Sequence, residues 1–250
     1  MIPTPIRQVL STMRRHQVQS LLMGGQACVF YGAAQFSKDV DFVLLADEEN
    51  YARLLAALDE LKAERIAVPR FDPGALDRGH AVHFRCAAPG VESLRVDVMT
   101  RHRCLPEFSV MWARRTVAAA DSETTFDIMA VEDLVQAKKT QREKDWPMIA
   151  ALVDAHQHTF ASDASPARID FWLHEARTPE LIAELCRRFP AEASACASQR
   201  PLLRLAQNED LEPLRAALDA EVRTEQAKDR AYWEPLRREL EQFRREERGT

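Results

Sequence analysis

The run Leu21-Leu22-Met23-Gly24-Gly25, followed fourteen residues after Gly25 by Asp39-Val40-Asp41, decides the reading of this chain. A glycine pair that ends an apolar run lets the backbone approach a bulky anion closely. Two carboxylates one residue apart on a strand point to the same face, because side-chain direction alternates along a strand. Like charges so placed are poor neighbours unless a cation lies between them. A phosphate cradle beside a divalent-metal clamp points to chemistry on a nucleoside triphosphate.

The neighbouring sequence supplies the frame. Ile6 to Val18 predicts a helix with Ile6, Val9, Leu10 and Met13 on one face. Gln19 to Met23 reads as a short buried strand, and Gln26 to Tyr31 as the first turns of a helix ended by Gly32. Lys38 to Leu45 alternates and then becomes wholly apolar, the pattern of a central strand. Glu48 to Ala63 is an amphipathic helix carrying Leu54, Leu55, Leu58 and Leu61. After Pro69, His80 to Cys86 and Glu92 to Met99 read as two strands joined by a turn at Ala87-Ala88-Pro89-Gly90. A second long helix is expected from Val131 to about Lys144, with Asp145-Trp146-Pro147 starting another that reaches about His156.

The small, polar segment Thr159 to Pro166 reads as a boundary between a domain over 1–158 and a helical one over 165–250. Ser165-Pro166 and Thr178-Pro179 each pair a capping residue with proline at the first helical position. Glu209 to Arg248 reads as a long charged helix with a weak apolar stripe through Leu211, Leu214, Leu218 and Val222, resuming at Tyr232.

Composition excludes several classes. At 46% hydrophobic and 29% charged residues, the chain of 250 residues is ordinary for a globular protein, and no apolar run nears the ~18 residues of a membrane span. The start Met1-Ile2-Pro3-Thr4-Pro5 lacks a signal-peptide pattern. Five scattered cysteines with no Cys-x-x-Cys pair predict a reduced, cytoplasmic protein without a structural zinc site. His80 and His83 fall on opposite sides of their strand, so with Cys86 they make no shared metal site. The net charge of −5 argues against a general nucleic-acid binder. The local excess Arg101, His102, Arg103, Arg114 and Arg115 reads as surface charge, with a groove for acceptor RNA or triphosphate as the alternative; nearby, Trp112 reads as core or as a stacking platform.

The order helix, strand, Gly-Gly turn, short helix, Asp-x-Asp strand resembles the nucleotidyltransferase superfamily, whose members include beta-type DNA polymerases, aminoglycoside nucleotidyltransferases and the toxins of AbiE-like toxin–antitoxin pairs. The resemblance covers Ile6 to His156. It implies an α/β (α+β) fold: a small mixed sheet flanked by helices, followed by the all-helical C-terminal domain. It also implies that Asp39 and Asp41 bind one or two magnesium ions, with manganese as a substitute. A third carboxylate comes from a later strand, which falls on Asp97 in Leu94-Arg95-Val96-Asp97-Val98-Met99, with Glu92 as fallback. An isolated acid between two valines is costly unless paired or metal-bound; the ordinary alternative is a pair with Arg95. As a carboxylate, Asp97 could also take the proton of an incoming hydroxyl.

Gly24 and Gly25 would then cradle phosphates. Many members carry arginine or threonine before the first aspartate, where this chain has Ser37-Lys38; Ser37 still offers a hydroxyl to the nucleotide. The segment Glu132-Asp133-Leu134-Val135-Gln136-Ala137-Lys138, with Arg142-Glu143-Lys144-Asp145, resembles the AbiE-type toxin core. On one helix Lys138, Arg142 and Asp145 would share a face. Lys138 would hold the triphosphate; Asp145 would orient it or cap the next helix. Lys139 and Lys144 read as solvated. The expected activity is transfer of a nucleoside monophosphate from a triphosphate to RNA such as tRNA, protein or a small molecule. Its specific form is a toxin with a cognate antitoxin, away from membranes. The competing class is a catalytically inactive binding or regulatory protein that keeps the fold.

Overall fold

The computed structural model describes residues 4–119, 125–207 and 211–249. In chain order the elements are α1 (Thr4–Arg15), β1 (Ser20–Met23), α2 (Gly24–Phe30), β2 (Asp39–Leu44), α3 (Glu48–Glu60), β3 (Glu64–Arg65), α4 (Pro73–Asp77), β4 (Val82–Arg85), β5 (Arg95–Met99), α5 (Phe108–Ala113), β6 (Thr116–Ala119), β7 (Thr125–Ile128), α6 (Val131–Lys138), α7 (Asp145–Phe160), α8 (Pro166–Glu175), α9 (Pro179–Arg188), α10 (Pro190–Cys196), a 3-10 turn (Pro201–Gln207) and α11 (Glu212–Arg248). The expected start of the last helix at Glu209 lies outside the described residues.

Two compact units result. The first takes in residues 1–30, 34–137 and 232–250; the second takes in 31–33 and 138–231. The polar segment 159–166 joins α7 to α8 within the second unit. There Ser165 Oγ accepts from the Arg168 amide and Pro166 opens α8, the cap read from sequence, whereas Thr178 precedes Pro179 without a side-chain capping bond.

The first unit is built on a seven-stranded mixed sheet in the order β3-β4-β5-β2-β1-β7-β6. Its middle strand, β2, runs antiparallel to β1 and parallel to β5. The apolar tail of β2 explains that place: Val40, Phe42, Val43 and Leu44 are all buried, as are Leu21 and Leu22 of β1 and Val96 and Val98 of β5. α3 is fastened by its caps. Asp47 accepts from the amides of Glu49 and Asn50. The buried Asn50 amide bonds both backbone groups of Gln19 and the carbonyl of Leu45, so the ends of β1 and β2 leave no polar group stranded.

The expected helix to Lys144 stops at Lys138. Thr140 is the cause: its hydroxyl accepts from the Arg142 amide at 3.1 Å, and its carbonyl accepts from Trp146 Nε1 at 3.0 Å. A threonine that offers the backbone such local bonds competes with the helical ladder.

Leu21 is fully buried in β1, between β2 and β7. We expect Leu21→Ala to lower stability by about 2–5 kcal/mol, read from urea unfolding, through lost transfer energy and the cavity left behind.

Candidate active site

Register converts three distant aspartates into one cluster. In the parallel pair, Asp41 of β2 lies opposite Asp97 of β5, and Asp39 lies opposite Arg95. In the antiparallel pair beside it, His83 lies opposite Asp97. Cross-strand partners share a face of the sheet, so these side chains project together. One oxygen each from Asp39, Asp41 and Asp97 lie within 4.8 Å of one another. Asp39 and Asp41 are half-buried, and Asp97 is buried.

The glycine pair closes this face. Gly24 follows Met23, the partner of Asp41, and has φ +67°. A Cβ there would lie 1.9 Å from Asp41 Oδ2, so the space a side chain would fill belongs to the carboxylate. A Cβ on Gly25 would lie 2.7 Å from Ser37 Oγ. That hydroxyl in turn reaches Asp39 Oδ1 at 2.9 Å and the Asp39 carbonyl at 3.1 Å. Gly24, Gly25 and Ser37 are therefore packed onto the acidic cluster in the structure.

Two groups were not joined to the cluster by sequence reasoning in the form seen. Arg95 Nε donates to Asp97 Oδ1 at 2.7 Å, the pair weighed as the ordinary alternative. His83 Nδ1 lies 2.9 Å from the same oxygen and 2.9 Å from an Arg95 terminal nitrogen. Burial raises the Asp97 pKa, but the hydrogen bonds from His83 and Arg95 outweigh it and hold the carboxyl below its ordinary range. Arg95 is pushed up, first by its bond to Asp97 and then by the fields of Asp97, Asp39 and Asp41. The alternation of β4 held a signal for His83, since it shares a face with Arg85 and the face set by Asp97 pairing. His80 lies outside β4, is buried, and meets Glu239 Oε2 at 2.8 Å. Cys86 is a buried thiol pushed up to about 11 by desolvation.

The donor set suits a hard divalent ion. All three groups are carboxylates, and magnesium takes oxygen ligands, often only one to three from protein. Counting Arg95 and the three aspartates alone, the cluster carries a net charge of −2. The missing side chain at Gly24 is what lets Asp41 Oδ2 come this close to the backbone at the start of α2.

Lys138 and Asp145 meet each other in the second unit. Lys138 Nζ donates to Asp145 Oδ1 at 3.2 Å, while Thr140 Oγ1 and Arg142 Nε reach Oδ2 at 2.6 and 2.7 Å. Both side chains are nearly sealed from solvent. Their meeting comes from the turn after α6, where one continuous helix was expected. Asp145 is the first residue of α7 and bonds these side chains; the capping position is held by Lys144, which makes no side-chain capping bond. Burial raises the Asp145 pKa, and the Lys138 charge, the Thr140 bond and Arg142 overcome it, so the carboxyl sits low. Lys139, expected to be solvated, is largely buried and pairs with Glu175 at 2.7 Å.

The basic residues after β5 are spoken for in part. Arg114 makes a two-pronged pair with the buried Asp133. Arg115 bonds Asp127 and lies 4.0 Å over the Trp112 ring, and Trp112 stacks on Phe108. Trp112, Arg115 and Asp127 line part of a cavity of about 490 Å³ with Leu10, Met13 and Phe42. Phe42 leaves β2 on the face opposite Asp41, so this cavity is not part of the acidic cluster.

No protein-family model matches the chain, and no curated protein matches it. Among solved structures, it is similar to a "putative nucleotidyltransferase" from H. pylori, at 16% identity over 91% of this chain and 94% of that chain, with TM-score 0.41. It is also similar to JHP933 from Helicobacter pylori, at 16% identity over 93% and 94%, with TM-score 0.35. Among the described residues, no helix is long and apolar enough to cross a membrane.

Two predictions follow from this geometry. Gly24→Ala places a methyl group on Asp41, whereas Gly32→Ala, at φ +76° with nothing within 4 Å, meets only the backbone cost. Both should lose about 1–2 kcal/mol of stability from the left-handed conformation. Only Gly24→Ala should weaken Mn²⁺ binding, by about tenfold or more, measured by titration against the Mn²⁺ resonance signal.

For Asp145 the folded-state pKa is depressed, so its stabilisation is present above the unfolded carboxyl range and is lost as pH falls through the folded value. Asp145→Asn should cost about 3–5 kcal/mol near pH 7, because Lys138 is left buried without its partner. The gap to wild type in urea midpoint should narrow steadily as pH drops below the carboxylate range.

Proposed function

We propose that the acidic cluster is a divalent-metal site for nucleotidyl transfer, in which a nucleoside monophosphate moves from a triphosphate to an acceptor nucleophile with release of pyrophosphate. The observation that carries this reading is the meeting of Asp39, Asp41 and Asp97 oxygens within 4.8 Å, directly beside Gly24. Asp39, Asp41 and Asp97 would hold magnesium, or manganese in its place. When bound, the ion supplies stabilisation of the charge that builds on the transferring phosphate.

The chain's own groups do the rest. Gly24 and Gly25, whose missing side chains admit Asp41 and Ser37, would cradle phosphate oxygens with their backbone, as the family resemblance implies. Ser37 fixes the Asp39 carboxylate and can turn its hydroxyl toward the nucleotide. Asp97, kept ionised by Arg95 and His83, is suited to accept the acceptor hydroxyl's proton once Arg95 relaxes its hold. Lys138 as a triphosphate ligand and Asp145 as its orienting partner rest on the family resemblance. So do a tRNA or protein acceptor, a cognate antitoxin and the role of an AbiE-type toxin.

One observation favours a second reading. Asp97 Oδ1 already takes both Arg95 and His83, so part of the charge a metal would neutralise is answered within the protein. A fold retained for binding, without turnover, would keep such an internal pair.

Calorimetry with each of the four non-hydrolysable triphosphates and magnesium separates the two. Wild type should bind one of them, and Asp41→Asn should lose that binding by about 100-fold or more, as expected for a removed metal ligand. Equal binding by both proteins, or binding that does not need magnesium, would sink the metal–nucleotide reading.

A further inference from the structure

A second cluster of ligand-bearing side chains lies within the second unit. Asp170 and His174 stand four residues apart on α8, hence on one helical face, and Cys196 closes α10, which packs against α8. One donor atom from each of the three lies within 4.8 Å of the others. Cys196 Sγ is 3.5 Å from Asp170 Oδ1, and His174 Nδ1 is 3.3 Å from the same oxygen. A tetrahedral zinc ion, with bonds of about 2.3 Å to sulfur and about 2.0 Å to nitrogen and oxygen, sets S···O and N···O edges of about 3.5 and 3.3 Å. Both measured edges already have those lengths.

The imidazole adds an independent sign. His174 Nδ1 lies 2.9 Å from the Asp170 carbonyl oxygen, and Nε2 is buried with no hydrogen-bond partner among the described residues. With the proton on Nδ1, a bare lone pair is buried at Nε2. With the proton on Nε2, the Nδ1 lone pair faces two oxygens. Whichever nitrogen carries the proton, one is left without a complementary neighbour, and a buried polar atom in that condition costs free energy. A cation between Nδ1, Oδ1 and Sγ removes the conflict at Nδ1 alone; Nε2 then carries the proton and stays buried without an acceptor among the described residues.

We propose that Asp170, His174 and Cys196 bind one zinc-class divalent cation, which clasps α8 to α10. The mixed sulfur, nitrogen and oxygen set selects zinc over the hard ions that suit an all-carboxylate site. The side chain of Asp170 is 65% exposed, so the ion has an entry path and water can complete its coordination. A cysteine binds metal as the thiolate, not the thiol. Binding therefore breaks the S–H bond, forms the S–Zn bond and releases that proton to solvent. The sequence hid this site because its ligands are spaced 170, 174 and 196, without the paired cysteines of common zinc motifs.

The test uses the full chain, reduced, in excess magnesium so that the all-oxygen cluster is occupied by a hard ion. Cobalt is the spectroscopic probe, and zinc affinity is read by competition with a chromophoric chelator. Wild type and Cys104→Ser, which lacks the exposed thiol, should each bind one cobalt with a thiolate-to-cobalt charge-transfer band. Cys196→Ser should lose the band, and Asp170→Asn and His174→Ala should bind zinc about 100-fold more weakly or worse. Asp170 is exposed enough that Asp170→Asn is expected to fold, which keeps the test decisive if Cys196→Ser does not. Asp41→Asn should bind zinc like wild type, so failure here and failure of the nucleotide reading are separate results. Absence of the band in wild type, its survival in Cys196→Ser, or unchanged zinc affinity in Asp170→Asn would each overturn the proposal.

Discussion

Repulsion among three carboxylates held within 4.8 Å is the constraint to which the first unit answers. Their closeness follows from register: a parallel β2–β5 pair sets Asp41 against Asp97, and the two-residue repeat brings Asp39 to the same face. At an effective dielectric of about 20, two unit charges about 4 Å apart repel by roughly 4 kcal/mol. Such a cluster persists only where the rest of the fold over-determines it. Buried apolar residues in β1, β2 and β5 fix the strands, and Arg95 and His83 draw charge from Asp97. The Ser37 hydroxyl engages Asp39, and Gly24 gives Asp41 the volume of a missing side chain.

This explains why the glycine pair and the aspartate pair were legible together. Both are local signals: an apolar run broken by Gly-Gly, and period-two alternation in Asp-Val-Asp. Asp97 was legible for a related reason, as an acid between valines in a strand pattern. β6 and β7 left no such trace. Each has only four residues, and β7 holds its place through a parallel pairing with β1 more than a hundred residues away. Non-local pairing of short strands is written in the tertiary structure and barely in the local pattern. The place of His83 beside Asp97 was hidden likewise, because it depends on the register of β4 against β5.

The segment after Ala137 shows how a correct grouping can rest on the wrong geometry. Helical spacing suggested that Lys138, Arg142 and Asp145 meet, and they do, but through a turn that Thr140 organises. A helix would have shown these residues on an open face. The turn instead buries Lys138 and Asp145 against each other and gives Trp146 a hydrogen-bond acceptor. Removing Asp145 strands the Lys138 charge, so the pair carries a structural load that any role toward a nucleotide must share.

Two clusters of metal-ligand type therefore differ in a way that the chemistry of cations makes consequential. Asp39, Asp41 and Asp97 offer oxygen alone, next to an arginine that offsets one of their three charges. Asp170, His174 and Cys196 offer oxygen, nitrogen and sulfur, with the S···O and N···O distances at Asp170 Oδ1 those of a tetrahedral site. The first set would hold magnesium weakly enough to exchange with substrate, since that ion keeps much of its water and shares its ligands with phosphate. A thiolate–imidazole set holds zinc tightly and couples the ion to folding. An exchanging ion belongs where phosphate must arrive and leave. A retained ion would belong where two short helices, α8 of ten residues and α10 of seven, pack together and Asp170 meets Cys196.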